Sequence, residues 1–246
     1  MEWRERDGVR WLEAELPGAR VAFSSRVGGV STGDFESLNL GVLTEDRTDS
    51  VLSNRRRLDA ALGLEPGRVV IGRQVHGGDL ARHDGPQEGE FWREPGPDPP
   101  EVDGHVIAEP GLAALVFVAD CLPIALAGPA GVAMVHGGWR GLAAGIAGRA
   151  VEATGARDAV IGPGIGPCCY EVGDEVHAAF APLGDGLAEG RMLDLPAVAT
   201  RLLERAGVER VETSGLCTSC NQDLFFSHRG AGPRTGRQAG VAQVVV

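Results

Sequence analysis

Two apolar runs joined by Gly128-Pro129-Ala130-Gly131 constrain this chain more than any other feature. Residues 124–127 and 132–135 are each long enough for a strand, and the four residues between them are turn formers. The segment therefore predicts a β-hairpin. Upstream, residues 112–118 form a third apolar run of strand length that ends at Asp120-Cys121. Downstream, His136-Gly137-Gly138-Trp139-Arg140-Gly141 leads into a predicted helix over 142–154, stopped by Gly155.

Around this centre the periodicity changes repeatedly. Strands are expected at 21–24, followed by a Gly28-Gly29 turn, and at 69–71, leading to Gln74-Val75-His76-Gly77. Val51, Leu52, Leu58 and Leu62 give residues 49–62 helical spacing, and Gly63 follows as a C-cap. A short strand at 159–161 precedes the glycine-rich stretch 162–166. Asp174 is placed as the N-cap of a helix through Phe180, and a further helix over 196–206 ends at Gly207. Phe225-Phe226 and residues 241–246 read as closing strands. Residues 84–101, acidic and rich in Pro and Gly, read as a mobile surface loop. Strands and helices mix without a regular βαβ rhythm, which favours α+β. The 246 residues are read as one domain, 1–246, with room for a sizeable core.

Composition removes several functions. All 23 basic residues are arginine, so lysine Schiff bases and Walker-type phosphate lysines are excluded. A net charge of −11 argues against a nucleic-acid partner. Arg55-Arg56-Arg57, the only basic run, is read as a solvated helical stripe. No apolar run approaches the ~18 residues of a membrane span, and residues 1–6 lack a secretory pattern. The expectation is a cytoplasmic protein without a membrane partner. Five cysteines, an odd number, suit thiols or ligands better than a disulfide frame.

Cys121 and His136 flank the hairpin, where antiparallel partners come ~5 Å apart. Two chemistries fit. One is a Cys–His nucleophilic dyad; the other is a shared metal, since thiolate plus imidazole suits zinc. His76 follows a predicted strand and shares the strand-end setting, which tips the balance toward metal. Three ligands leave a fourth tetrahedral position open, as catalytic zinc requires.

Several segments resemble motifs of the YfiH family, also labelled laccase-domain, polyphenol oxidase or purine nucleoside phosphorylase. They are Gln74 to Gly77, Ala119 to Pro123, His136 to Gly141, Gly162 to Tyr170, and Cys217-Thr218 through Phe225-Phe226-Ser227 to Thr235-Gly236-Arg237. Ser25-Arg26-Val27-Gly28-Gly29-Val30-Ser31 resembles the family's N-terminal motif. The resemblance implies layered mixed β-sheets flanked by helices, similar to the fold of cytotoxic-necrotizing-factor-like toxins. It implies catalytic zinc on His76, Cys121 and His136. It further implies phosphorolysis of adenosine, inosine, guanosine and methylthioadenosine, deamination of adenosine, and a peptidoglycan-editing role. Gly137-Gly138 stands where the family commonly has Ala-Gly, and the Pro-rich loop before Asp103 is long.

The residue chemistry adds candidates. Zinc deaminases place a glutamate beside a ligand histidine, but no H-x-E occurs here. Asp120 is therefore the candidate proton shuttle or orienter, with a structural turn aspartate as the alternative. Phosphate calls for arginine forks, and Arg26, Arg140 and Arg237 lie in glycine-rich motif segments. Gln74 and Tyr170 complete the candidate substrate contacts. Residues 162–166 read as a tight pocket wall. Cys217-Thr218-Ser219-Cys220 has C-x₂-C spacing, but Cys168-Cys169 is not a matching pair, which argues against a structural zinc. With six histidines and no H-x-H, multicopper laccase chemistry is disfavoured, although one copper could take the His/Cys/His site. A cysteine hydrolase using Cys121 and His136, and a non-catalytic zinc-bound editing factor, remain the alternatives. The oligomeric state is unreadable.

Overall fold

A computed structural model describes residues 1–65, 67–94 and 98–245. Its first strands are β1 (Glu2–Arg6), β2 (Val9–Leu16), β3 (Ala19–Ser24), β4 (Val69–Val70), β5 (Leu80–His83) and β6 (Gly104–Ile107). There follow β7 (Ala113–Val118), β8 (Leu122–Gly128), β9 (Gly131–Gly137), β10 (Asp158–Ile161), β11 (Ala188–Glu189), β12 (Met192–Leu193), β13 (Arg210–Thr213) and β14 (Gln238–Val244). The helices are α1 (Thr48–Leu62), α2 (Trp139–Ala143), α3 (Ile146–Thr154), α4 (Asp174–Phe180), α5 (Leu195–Arg205) and α6 (His228–Ala231).

Two six-stranded sheets result, in the orders β1-β2-β3-β14-β7-β4 and β13-β10-β8-β9-β6-β5. Both are mixed: β4–β7, β5–β6 and β10–β13 pair in parallel, whereas the other pairs within them are antiparallel. The period-two alternation of each strand feeds two cores. Ala125 and Ala127 of β8 and Val132 and Met134 of β9 meet Phe23, Val116 and Val118 between the sheets. Leu122, Ile124, Leu126, Ala133 and Val135 point the other way, onto Ile146 and Ala150 of α3 and Val198 and Leu203 of α5. On the far side of the first sheet, Leu115 and Val241 pack against Leu58 and Leu62 of α1 and against Trp92. The architecture is α+β, with two mixed sheets face to face and helices on both outer faces.

The structure departs from the sequence reading in several places. The helix expected over 142–154 is broken: α2 ends at Ala143, and Gly145, at φ +88°, starts α3 on a new axis. Asp174 is the first residue of α4 rather than its cap, a position held by Gly173. Phe225-Phe226 is buried but forms no strand. Within the Pro-rich loop, Trp92 is 1% exposed, and its indole N–H donates to Asp59 of α1. Residues 95–97 of that loop lie outside the described residues. Arg55 is no solvated stripe but fully buried, donating to the carbonyls of Leu40 and Trp92 and stacking on the Trp92 ring. No helix among the described residues is long and apolar enough to cross a membrane.

Candidate metal centre

The hairpin pairs Gly128 with Gly131 around a two-residue Pro129-Ala130 loop, and this register carries through to Pro123↔His136 and Leu122↔Gly137. Cys121 thus lies one residue before β8, two positions off from facing His136, rather than opposite it. The chain crosses from β7 of one sheet to β8 of the other through Asp120, whose φ of +94° is rare for a residue with a side chain. His76 comes from the loop after β4 and is also left-handed, at φ +59°. The ligand atoms of His76, Cys121 and His136 nevertheless lie within 4.8 Å of one another. Strained backbone at two of these corners, costing about 1–3 kcal/mol each, is the kind stored at functional sites.

One carboxylate organises the trio, and it escaped the sequence reading. Asp103, 0% exposed, accepts the backbone N–H groups of Val75, His76 and Gly77 at 3.0, 2.9 and 2.7 Å. Its Oδ1 is also 2.7 Å from Nδ1 of His136. Burial would raise the Asp103 pKa, but these hydrogen bonds hold the group below the ordinary carboxylate range. Because a carboxylate accepts, His136 keeps its proton on Nδ1 and presents Nε2, the arrangement typical of metal-binding histidines. Burial opposes the Cys121 thiolate, yet the two imidazoles outweigh it and bring the thiol down to about 6. Burial likewise opposes the His136 imidazolium, but Cys121 and Asp103 raise it to about 9.

Gly138 explains why the segment after β9 is glycine-rich. A Cβ there would sit 3.1 Å from Cys121 Sγ and 3.2 Å from the His76 ring. The donor set, its spacing and this bare backbone fit a small ion such as zinc, whose bonds to S and N are about 2.0–2.3 Å. His76 is exposed, Cys121 partly exposed and His136 buried, so the trio opens toward solvent on the His76 side.

The remaining candidates separate into two groups. Tyr170 and Arg237 border the trio: burial and the Cys121 charge push the Tyr170 phenol up to about 12, and Arg140 and Arg229 oppose that shift. Burial lowers Arg237, against the charges of Cys121 and Asp120. Arg140 is exposed and stacks on the Trp139 ring at 4.5 Å. Arg229, absent from the sequence reading, lies 5.3 Å over the Tyr170 ring. Gln74 and Arg26 instead tie loops down. The Gln74 amide exchanges two hydrogen bonds, each of 2.7 Å, with the Phe117 backbone. Arg26 donates to the carbonyls of Glu36 and Gln222 and stacks on Phe226. Both Asp120 carboxylate oxygens are engaged, one by the Thr218 hydroxyl and one by the Arg229 N–H, each at 2.6 Å. Asp120 thus secures two loops, and Asp103 is the carboxylate that orients His136. Cys168, Cys169, Cys217 and Cys220, judged unmatched from their spacing, also gather, with sulfurs within 4.8 Å of one another.

Residues 20–245 match the family described as multi-copper polyphenol oxidoreductase laccase. The chain belongs to this family. It is 37% identical to "Purine nucleoside phosphorylase YlmD" of Geobacillus stearothermophilus, covering 92% of each chain. It is 41% identical to "Purine nucleoside phosphorylase SCO2081" of Streptomyces coelicolor, covering 91% of this chain and 94% of that one. The crystal structure of the Geobacillus YlmD superposes at a TM-score of 0.86 with 34% identity, over 99% of this chain and 98% of the other. A Bacillus licheniformis YfiH structure gives 0.87 at 30% identity, over 98% of both chains. The family's description names copper, and this chain brings together His/Cys groups that could hold a metal.

Proposed function

We propose that the chain is a zinc-dependent enzyme of purine nucleosides. It cleaves adenosine, inosine, guanosine and methylthioadenosine with phosphate and also deaminates adenosine. The observation that carries the reading is the convergence of His76, Cys121 and His136 beside Tyr170 and Arg237. The names of the relatives, purine nucleoside phosphorylases, support the substrate class.

When bound, zinc supplies Lewis acidity at neutral pH. The chain's own residues do the rest. Asp103 fixes the His136 ring, and Gly138 leaves the space in front of it clear. The Tyr170 phenol stays protonated at neutral pH, so it can donate a hydrogen bond as well as offer a ring face to a base. Arg140 provides a planar fork for the phosphate oxygens, and Arg237, whose Nη1 is held by the Thr235 and Gly236 carbonyls at 2.8 Å, provides its remaining N–H groups. Asp120 keeps the Thr218 and Arg229 segments in register beside Cys121.

The test is product identification from adenosine, with and without phosphate, on zinc-loaded protein. Adenine and ribose 1-phosphate that appear only with phosphate support phosphorolysis, and inosine supports deamination. Full activity of metal-free Cys121→Ala would overturn the metal mechanism. Copper binds such donor sets more tightly than zinc, so metal analysis accompanies the assay.

The line Asp103–His136–Cys121 favours one second reading, a cysteine hydrolase active without metal. Loss of activity on zinc loading would select it. No nucleoside turnover in either state would leave the binding role in cell-wall editing.

A further inference from the structure

Cys168 and Cys169 sit in a turn closed by their own backbone: the N–H groups of Cys169 and Tyr170 donate to the Gly166 carbonyl at 3.0 and 3.1 Å. Cys217 and Cys220 sit in a second turn, closed by the Asn221 N–H on the Cys217 carbonyl at 3.2 Å. A short parallel bridge, Gly164↔Cys217, lays the two turns side by side, and Thr218 N–H donates to the Gly164 carbonyl at 2.9 Å. The C-x₂-C pair therefore does have a partner pair. It lies about fifty residues upstream, and adjacent residues supply it.

The sulfurs are spaced like ligands rather than like a disulfide. Cys220 Sγ is 3.4 Å from both Cys168 Sγ and Cys169 Sγ. A disulfide would bring one pair of them to about 2.05 Å, whereas Cys220 Sγ stands equally far from two partners. Four thiolates about 2.3 Å from one zinc lie at the corners of a tetrahedron with edges of about 3.8 Å. The Gly166 N–H points at Cys217 Sγ, 3.3 Å away, a donor suited to a metal-bound thiolate. Gly166 also permits the approach, because a Cβ there would stand 3.3 Å from Cys217 Cβ and 3.5 Å from Cys168 Sγ.

We propose that Cys168, Cys169, Cys217 and Cys220 form a second, closed tetrathiolate site for a soft divalent cation such as zinc, with a structural role. Binding exchanges four thiol protons for four metal–sulfur bonds, with no change of oxidation state. The ion staples the segment carrying Tyr170 to the one carrying Thr218, whose hydroxyl holds Asp120 at 2.6 Å beside Cys121. The site thereby fixes one wall of the His/Cys/His centre from behind. It rests on the four cysteines alone, whatever reaction the other centre performs.

Metal content of the purified full chain tests it. The wild type is expected to carry two zinc ions per chain. Cys168→Ser/Cys220→Ser, which alters two exposed side chains, should retain one; Cys121→Ala should also retain one. Cobalt substitution of Cys121→Ala should give an intense thiolate-to-metal charge-transfer band, which the double serine variant lacks. One zinc in the wild type that vanishes in Cys121→Ala would overturn the proposal. So would a disulfide between any two of the four cysteines, detected by mass spectrometry after alkylation without reductant.

Discussion

His136 can present Nε2 to a metal only while Nδ1 keeps its proton, and Asp103 holds that proton at 2.7 Å. Asp103 also accepts three consecutive N–H groups around His76, so one carboxylate sets two of the three ligands. Asp103→Asn, which leaves the side chain nearly the same size, should weaken zinc by about 10–100-fold, measured by competition with a chelator. Unchanged affinity would mean that packing alone aims the ring. A second expectation follows from the Cys121 thiol, which His136 and His76 lower to about 6 against the penalty of burial. In metal-stripped protein its alkylation should fall off only as the pH drops through about 6, whereas a free cysteine loses reactivity below about 8.5. Peptide mapping after iodoacetamide reads this, and zinc should protect the residue. A midpoint near 8.5 would show that the imidazoles do not act on the thiol. His76, Cys121 and His136 were legible in the sequence because each lies at the end of an apolar run, next to glycine or proline markers. Asp103 was not, because it follows an unremarkable Glu-Val pair and its role consists of backbone contacts. The four-cysteine cluster was hidden for a related reason, since spacing rules assume two similar pairs and here a bridge between distant loops supplies the geometry.

At the scale of elements, the hairpin β8–β9 was readable because two unbroken apolar runs flank a turn-forming tetrapeptide, while the offset at Cys121 was not. The two-residue loop sets that register, and sequence symmetry about the turn cannot distinguish it from one shifted by a pair. β2 went unseen because it is not an unbroken apolar run: buried Leu12, Ala14 and Leu16 alternate with Glu13 and Glu15, the period-two pattern of a half-buried strand, and β1 is largely exposed. Helix α1 was found from its leucines, but the run Arg55-Arg56-Arg57 was misread, because helical rotation buries the first arginine and exposes the next two. Arg55 donates to the backbone carbonyls of Leu40 and Trp92 at 2.9 and 2.6 Å. Burial lowers its pKa to about 10, so it remains charged at neutral pH. Asp59, one turn on, takes the Trp92 indole N–H and the Arg93 guanidinium. The helix thus anchors the Pro-rich loop through two polar side chains. Arg55→Ala leaves buried carbonyls without donors and should cost about 2–4 kcal/mol. Exposed Arg56→Ala should stay within about 0.5 kcal/mol. Urea unfolding of the two variants checks this, and equal midpoints would refute the anchoring role.

For the whole molecule the question is how an anion reaches a chain of net charge −11. Spread over a body about 20 Å in radius, that charge repels a unit anion by about 2 kcal/mol before salt is counted. Screening cuts this to about 1 kcal/mol at 0.01 M ionic strength, where the Debye length is about 30 Å, and to a few tenths at 0.1 M, where it is about 10 Å. Under the proposed function, contacts from Arg140 and Arg237 would act at a few ångströms and be screened far less. Raising salt over that range should therefore lower the KM for phosphate several-fold while leaving the KM for the uncharged nucleoside nearly constant. Initial rates at fixed nucleoside, with sodium chloride varied, measure this. A phosphate KM that rises with salt would mean that the site's own field is positive well beyond contact range. More arginines than Arg140 and Arg237 would then have to face it, and Arg229, over the Tyr170 ring, would be the first to substitute.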